Sequence, residues 1–227
     1  MKTAKIAPGL IRAIAVIVVV LALIGIVVAT RRALTLAGVI KTYVNPRFGA
    51  FDKGLGLHPV LTFTHIIPGA LFMILAPLQF IPKLRSRYPR FHRWSGRILV
   101  VLGLIIGISA LIMSFIAAIG GANETAATSV FAVLFLVSLC KGFYHIRRRG
   151  IAHIRLREIA LHREWMIRMF AIGFAIASVR PIVGLFFAFS KLSPHEFFGI
   201  AFWLGFTIQL LLAEVWINYT RKLPLHL

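Results

Sequence analysis

The chain has one cysteine, Cys140, and six acidic residues, Asp52, Glu124, Glu158, Glu164, Glu196 and Glu214. A lone cysteine excludes an internal disulfide and a cysteine metal cluster. Carboxylates this sparse argue against a carboxylate metal site as well, which leaves histidine as the natural ligand of any metal. The sequence also lacks an HExxH pair, a phosphate-binding P-loop, a glycine-rich dinucleotide fingerprint and a plausible serine triad. What it has instead is apolar length and positive charge. Of 227 residues 59% are hydrophobic, and 26 Lys and Arg against 6 acids give a formal charge of +20. With a mean hydropathy of +0.90, the chain lies far outside the balance of a soluble domain.

A hydrocarbon core about 30 Å thick needs about 20 residues of helix. Six stretches are long enough, near 10–30, 58–82, 96–121, 125–145, 165–190 and 197–219. The expected fold is all-α, a polytopic membrane protein of about six transmembrane helices forming a bundle. Residues 1–57 read as an N-terminal anchor with an extracytoplasmic linker, 58–220 as a five-helix membrane core and 221–227 as a short cytoplasmic tail. The apolar run from Ala13 to Ala29 exceeds the 7 to 15 residues of a signal-peptide core, so the first span reads as an uncleaved anchor.

The basic residues sit between spans, not in a nucleic-acid-binding stripe. Lys83, Arg85, Arg87, Arg90, Arg93 and Arg97 separate the second and third spans, and Lys141, Arg147, Arg148, Arg149, Arg155, Arg157, Arg163 and Arg168 surround the junction of the fourth and fifth. By the positive-inside rule both loops and both termini are cytoplasmic, in a bacterial plasma membrane. Anionic lipids are the expected partners of that basic face; nucleic acid is not. Arg31, Arg32, Lys41, Arg47 and Lys53 fit this topology poorly, because the alternation of spans places them outside.

Arg180 interrupts the apolar segment from Met169 to Ser190. A central arginine costs about 2.5 to 3.5 kcal/mol on insertion scales, so it is expected to face the protein interior and meet a polar or anionic partner. Backbone carbonyls at a kink beside Pro181 are the structural alternative. On the second span, helical spacing puts His58, Thr62, His65, Gly69, Phe72, Ala76 and Gln79 on one inward stripe, with Pro68 and Pro77 as kinks. Small residues Gly96, Gly103, Gly107, Ala110 and Ser114 mark a close-packing face on the third span, and Gly173, Ala177, Arg180 and Gly184 share a stripe on the fifth. Counted inward from the outer ends, His65 lies roughly 10 Å deep, Arg180 roughly 15 Å and Gln209 roughly 18 Å. These three are expected to share an outer-half site, and Arg180, Gln209, His58 and Gln79 are the candidate ligand-binding residues. His145, His153 and His226 read as interfacial.

Two helix starts echo each other. His92-Arg93-Trp94-Ser95-Gly96-Arg97 precedes the third span, and His162-Arg163-Glu164-Trp165-Met166-Ile167-Arg168 the fifth. Each joins an imidazole and two arginines to the unpaired backbone donors of a helix start, a setting suited to an anion. Together with His58-Pro59, His65 before Pro68-Gly69, and Pro77-Leu78-Gln79-Phe80, these motifs resemble the predicted bacterial membrane proteins grouped as domain of unknown function 2306. That resemblance implies a multi-pass architecture over roughly residues 55–220 and no particular reaction. A weaker similarity is to membrane cytochromes b, which hold each haem between histidines of facing helices. It implies His92 and His162 as an iron pair, with Arg93, Arg97, Arg163 and Arg168 near the propionates, and His65 as a further cofactor-binding candidate without an obvious partner.

Three functions remain open. The chain is a haem b or quinone-interacting redox component with a redox partner, a binding or transport protein for an anionic small molecule, or a structural protein that holds lipid or another subunit.

Overall fold

The computed structural model describes residues 7–39, 56–148 and 152–221. Every long element in it is a helix: α1 (Pro8–Leu36), α2 (Pro59–Leu75), α3 (Pro82–Arg87), α4 (Pro89–Ile116), α5 (Gly121–Arg147), α6 (Ala152–Phe189) and α7 (Pro194–Arg221). All but the short α3 are long and apolar enough to cross a membrane, the second span being Pro59–Phe80 with the turn that follows α2. The expected all-α bundle of six spans is therefore what the chain forms. Backbone polar groups explain the choice, since a helix satisfies its own N–H and C=O groups where no water is present to do so.

Proline sets several of the boundaries. It stands at the start of α1, α2, α3 and α4, where its missing N–H would have been unpaired in any case. Pro68 lies inside α2. Pro77 opens a 3-10 turn (Pro77–Phe80), so the second span is α-helical only to Leu75 and finishes as that turn, with extended Ile81 joining it to α3. The helix α6 has 38 residues, a length of about 57 Å at 1.5 Å per residue. It overruns a membrane core by several turns, and the surplus carries the basic residues from Arg155 to Arg168.

The helices close into a ring. α1 packs on α2, α2 on α4, α4 on α5, α5 on α6, and α6 returns to α1; α7 lies outside the ring against α5 and α6. Only 11% of the apolar stretch of α1 is buried, against 39% for α5 and α6, so α1 is the rim of the bundle and those two helices are its centre. Between apolar helices in lipid, association depends on close packing and hydrogen bonds more than on the hydrophobic effect. The small residues supply the close packing. A Cβ at Gly107 would lie 2.5 Å from Leu136, one at Gly173 2.7 Å from Phe72, and one at Gly205 2.6 Å from Val179. These contacts tie α4 to α5, α2 to α6 and α6 to α7.

Two hydrogen bonds set the register of α2 against α4. Gln79 donates to Ser95 Oγ at 2.7 Å, and His65 Nδ1 meets Ser109 Oγ at 2.9 Å. The partners lie fourteen residues apart on each helix, so one antiparallel alignment serves both. In the middle of the ring Phe72 packs against Phe135, Phe170 and Phe174, with ring centroids 5.5 to 6.3 Å away. This aromatic layer divides the bundle into a basic end and a far end.

Candidate functional site

Counting from the aromatic layer shows which polar side chains share a level. Phe72 of α2 touches Gly173 of α6, and Met73 of α2 touches Gly25 of α1. Seven residues, or about 10 Å, toward the far end lie His65 on α2, Arg180 on α6 and Arg32 on α1. Arg180 is their common neighbour, within electrostatic reach of His65 and Arg32, and of Glu124 on α5. These side chains, drawn from α1, α2, α5 and α6, with Ser109 of α4 on His65, form a polar cup of groups on the far side of the phenylalanine layer.

Each member is held differently. The Ser109 hydroxyl donates to the Ile105 carbonyl at 2.6 Å; its single proton is then spent, and it accepts from His65 Nδ1–H. In the neutral ring this leaves His65 Nε2 as the bare nitrogen. The buried Glu124 carboxylate accepts the Gly120 N–H at 2.6 Å, a short bond of the kind made by charged acceptors at helix starts.

Arg180 has no hydrogen-bond acceptor among the described residues, so the expected clamp by kink carbonyls is not present there. No fully buried side-chain nitrogen or oxygen goes unpaired among them, which means that the guanidinium nitrogens border accessible space. Two glycines near these groups are open, Gly184 being exposed and Gly69 partly so. A Cβ added at Gly69, one turn from His65, or at Gly184, one turn from Arg180, would meet nothing within 4 Å among the described residues. An intramembrane guanidinium with accessible nitrogens and no acceptor among the described residues, with one carboxylate and another cation in reach, can receive an anionic oxygen.

The other expected ligand residues lie elsewhere. Gln209 donates to Ser178 at 2.6 Å, Gln79 to Ser95, and His58 is exposed at the start of α2. Depth alone had grouped Gln209 with His65 and Arg180, but its hydrogen bond lies between α6 and α7. The members that sequence reasoning missed are Arg32, Glu124 and Ser109. Arg32 stood in a segment of conflicting topology, and a serine on a long apolar helix gives no signal of its own.

At the basic end His92 and His162 do come together, within electrostatic reach of each other. His162 Nδ1–H donates to the Gly142 carbonyl at 2.8 Å. Their arginines divide. Arg163 donates to Thr220 at 3.0 Å, while Arg168 binds both oxygens of Glu214 and lies 4.8 Å over the Trp165 ring. Arg93 is exposed and Arg97 lies over the Trp94 ring. Glu164 receives both Arg221 donors. His145, expected to be interfacial, bonds Glu158 at 2.6 Å. His226 and the side chain of His153 lie outside the described residues.

A family model described as predicted membrane protein (DUF2306) matches residues 62–217. No curated protein and no solved structure matches the chain.

Proposed function

We propose, for a chain that belongs to the DUF2306 family of predicted membrane proteins, that it is a membrane-embedded binding protein for a small organic acid. The observation that carries this reading is Arg180, a guanidinium inside a span with accessible nitrogens and no acceptor among the described residues. Its neighbours refine the ligand. An oxyanion satisfies Arg180, and His65 Nε2, bare in the neutral ring, accepts a hydrogen bond from a ligand hydroxyl. A hydroxycarboxylate offers both groups. By the positive-inside rule the basic end faces the cytoplasm of a bacterial plasma membrane, so the cup faces outward. The phenylalanine floor makes retention a better description than free passage.

Calorimetry on the detergent-purified protein, with lactate and propionate as probes, tests the reading. Lactate is expected to bind more tightly than propionate by roughly tenfold, the worth of one good hydrogen bond. Arg180→Gln is expected to abolish both signals, and Arg180→Lys to restore part of them. Equal binding by wild type and Arg180→Gln would refute the assignment.

A redox function is the second reading, and one observation favours it. The His162 Nδ1–H bond to a backbone carbonyl orients the ring and leaves Nε2 as a metal-binding nitrogen, the arrangement common around metal-ligating histidines. A haem b at His92 and His162 would announce itself as a visible spectrum that sharpens on reduction with dithionite. Its loss in His162→Gln would favour this reading over the first.

A further inference from the structure

The basic end contains a convergence of positive groups that the organic-acid cup does not use. Phe80, the last residue of the 3-10 turn, packs edge-on to Phe170 of α6 with centroids 4.9 Å apart. Arg163 lies seven residues from Phe170 toward the basic end, and Arg85 five residues beyond Phe80 on α3. The bond from Gln79 to Ser95 fixes α4 beside the same turn, and His92 is one helical turn before Ser95. Three separate elements thus bring Arg85, His92 and Arg163 to one level. Arg85 is within electrostatic reach of both His92 and Arg163, and His162 is within reach of His92.

Two of these groups, His162 and Arg163, are held by neutral partners, while Arg85 is exposed on α3. Thr220 holds Arg163, and the Gly142 carbonyl orients the His162 ring. The acid acting on Arg163 is Glu164, and both its oxygens are already engaged by Arg221, with Arg168 4.0 Å away. Like charges gathered from different helices repel one another unless an anion sits between them. The surroundings suit a membrane interface. Exposed Tyr88 and Trp94 rings flank the cluster, each beneath an arginine, Arg87 and Arg97, as in the aromatic belts at headgroup level.

We infer that Arg85, His92, His162 and Arg163 form a seat for a phosphate group, carried by an anionic phospholipid headgroup or by free phosphate. Two arginines supply several N–H donors to the phosphate oxygens, and the His92 ring adds one N–H.

Native mass spectrometry of the full chain tests the seat, with phosphatidylglycerol, phosphatidylcholine and inorganic phosphate titrated separately. Phosphatidylglycerol is expected to bind in preference to phosphatidylcholine. Arg85→Gln should weaken it by roughly fivefold, the effect of one basic residue near an anionic headgroup. Arg93→Gln, as exposed as Arg85 but outside the cluster, should leave it unchanged. Arg163→Gln provides a second variant, with thermal unfolding to verify that each is folded. Displacement of the lipid by inorganic phosphate would identify free phosphate as a ligand of the seat, and failure to displace it would identify the lipid; either supports the seat. Two folded variants, Arg85→Gln and Arg163→Gln, that bind phosphatidylglycerol as wild type does would overturn it. So would an equal loss in Arg93→Gln, which would mean diffuse attraction, or a haem spectrum in the purified protein that is lost on His92→Gln.

Discussion

The Phe72 ring occupies the place where a side chain at Gly173 would begin, 2.7 Å from the Cβ that Gly173 lacks. This contact aligns α2 with α6, and from it follows the shared level of His65 and Arg180. Gly184, three turns further along the same stripe of α6, has no such neighbour among the described residues.

The two glycines should respond in opposite directions to alanine. Gly173→Ala forces Phe72 to move and is expected to destabilise the protein by about 1 to 3 kcal/mol, the usual cost of overpacking. Gly184→Ala meets open space and gains helix propensity, so it should be neutral or stabilising by up to about 1 kcal/mol. Chemical denaturation in mixed micelles compares them, and a larger loss in Gly184→Ala would mean that the packing is misread.

Filling the cup should separate binding from folding. Gly184→Leu places an apolar side chain one turn from Arg180 and is expected to abolish lactate binding while leaving the unfolding transition near that of wild type. Calorimetry and thermal unfolding on the same sample measure both. Unchanged lactate binding would move the ligand out of the space beside Arg180.

Removing the Ser109 hydroxyl tests the His65 orientation. Hydrogen bonds between membrane helices average about 0.6 kcal/mol, so Ser109→Ala should cost little stability. Its effect on ligand preference should be larger. With Nδ1–H released, the ring no longer has to present bare Nε2 to the cup, and the expected advantage of lactate over propionate should shrink. A preference that persists at its full size would show that His65 does not read the hydroxyl.

At the basic end, Arg168 and Glu214 join α6 to α7 through two hydrogen bonds. Glu214 is 38% exposed, so solvent screens the pair. A double-mutant cycle of Arg168→Met and Glu214→Leu is expected to give a coupling of about 0.5 to 1 kcal/mol, smaller at high salt. Independent effects of the two substitutions would leave the α6 to α7 register to the Gly205–Val179 contact and the bonds of Gln209 to Ser178, Arg163 to Thr220 and Arg221 to Glu164.

Much of the candidate cup was legible before any helix was placed. A basic residue in an apolar span, and a histidine on a stripe of small and polar residues, stand out because each is costly in lipid unless it faces inward. Helical periodicity then predicts which face they share with Gly69 and Gly184. The same reasoning grouped Gln209 with them on depth, which carries no information about which helices are neighbours. Arg32 and Glu124 were visible as charges but not as members, because their contribution depends on α1 closing the ring and on the start of α5 lying beside Arg180. Ser109 gave no sign at all.

The sequence by itself determined that this protein is a six-span helical membrane protein, because length and hydropathy decide what can satisfy its backbone within a bilayer. It also determined, through period 3.6, which residues of each helix lie on one face. Only the tertiary structure decided which faces meet. The rotation and offset of one apolar helix against another depend on steric fits such as Phe72 in the space left by Gly173, and a fit between residues a hundred positions apart has no signature in either segment alone.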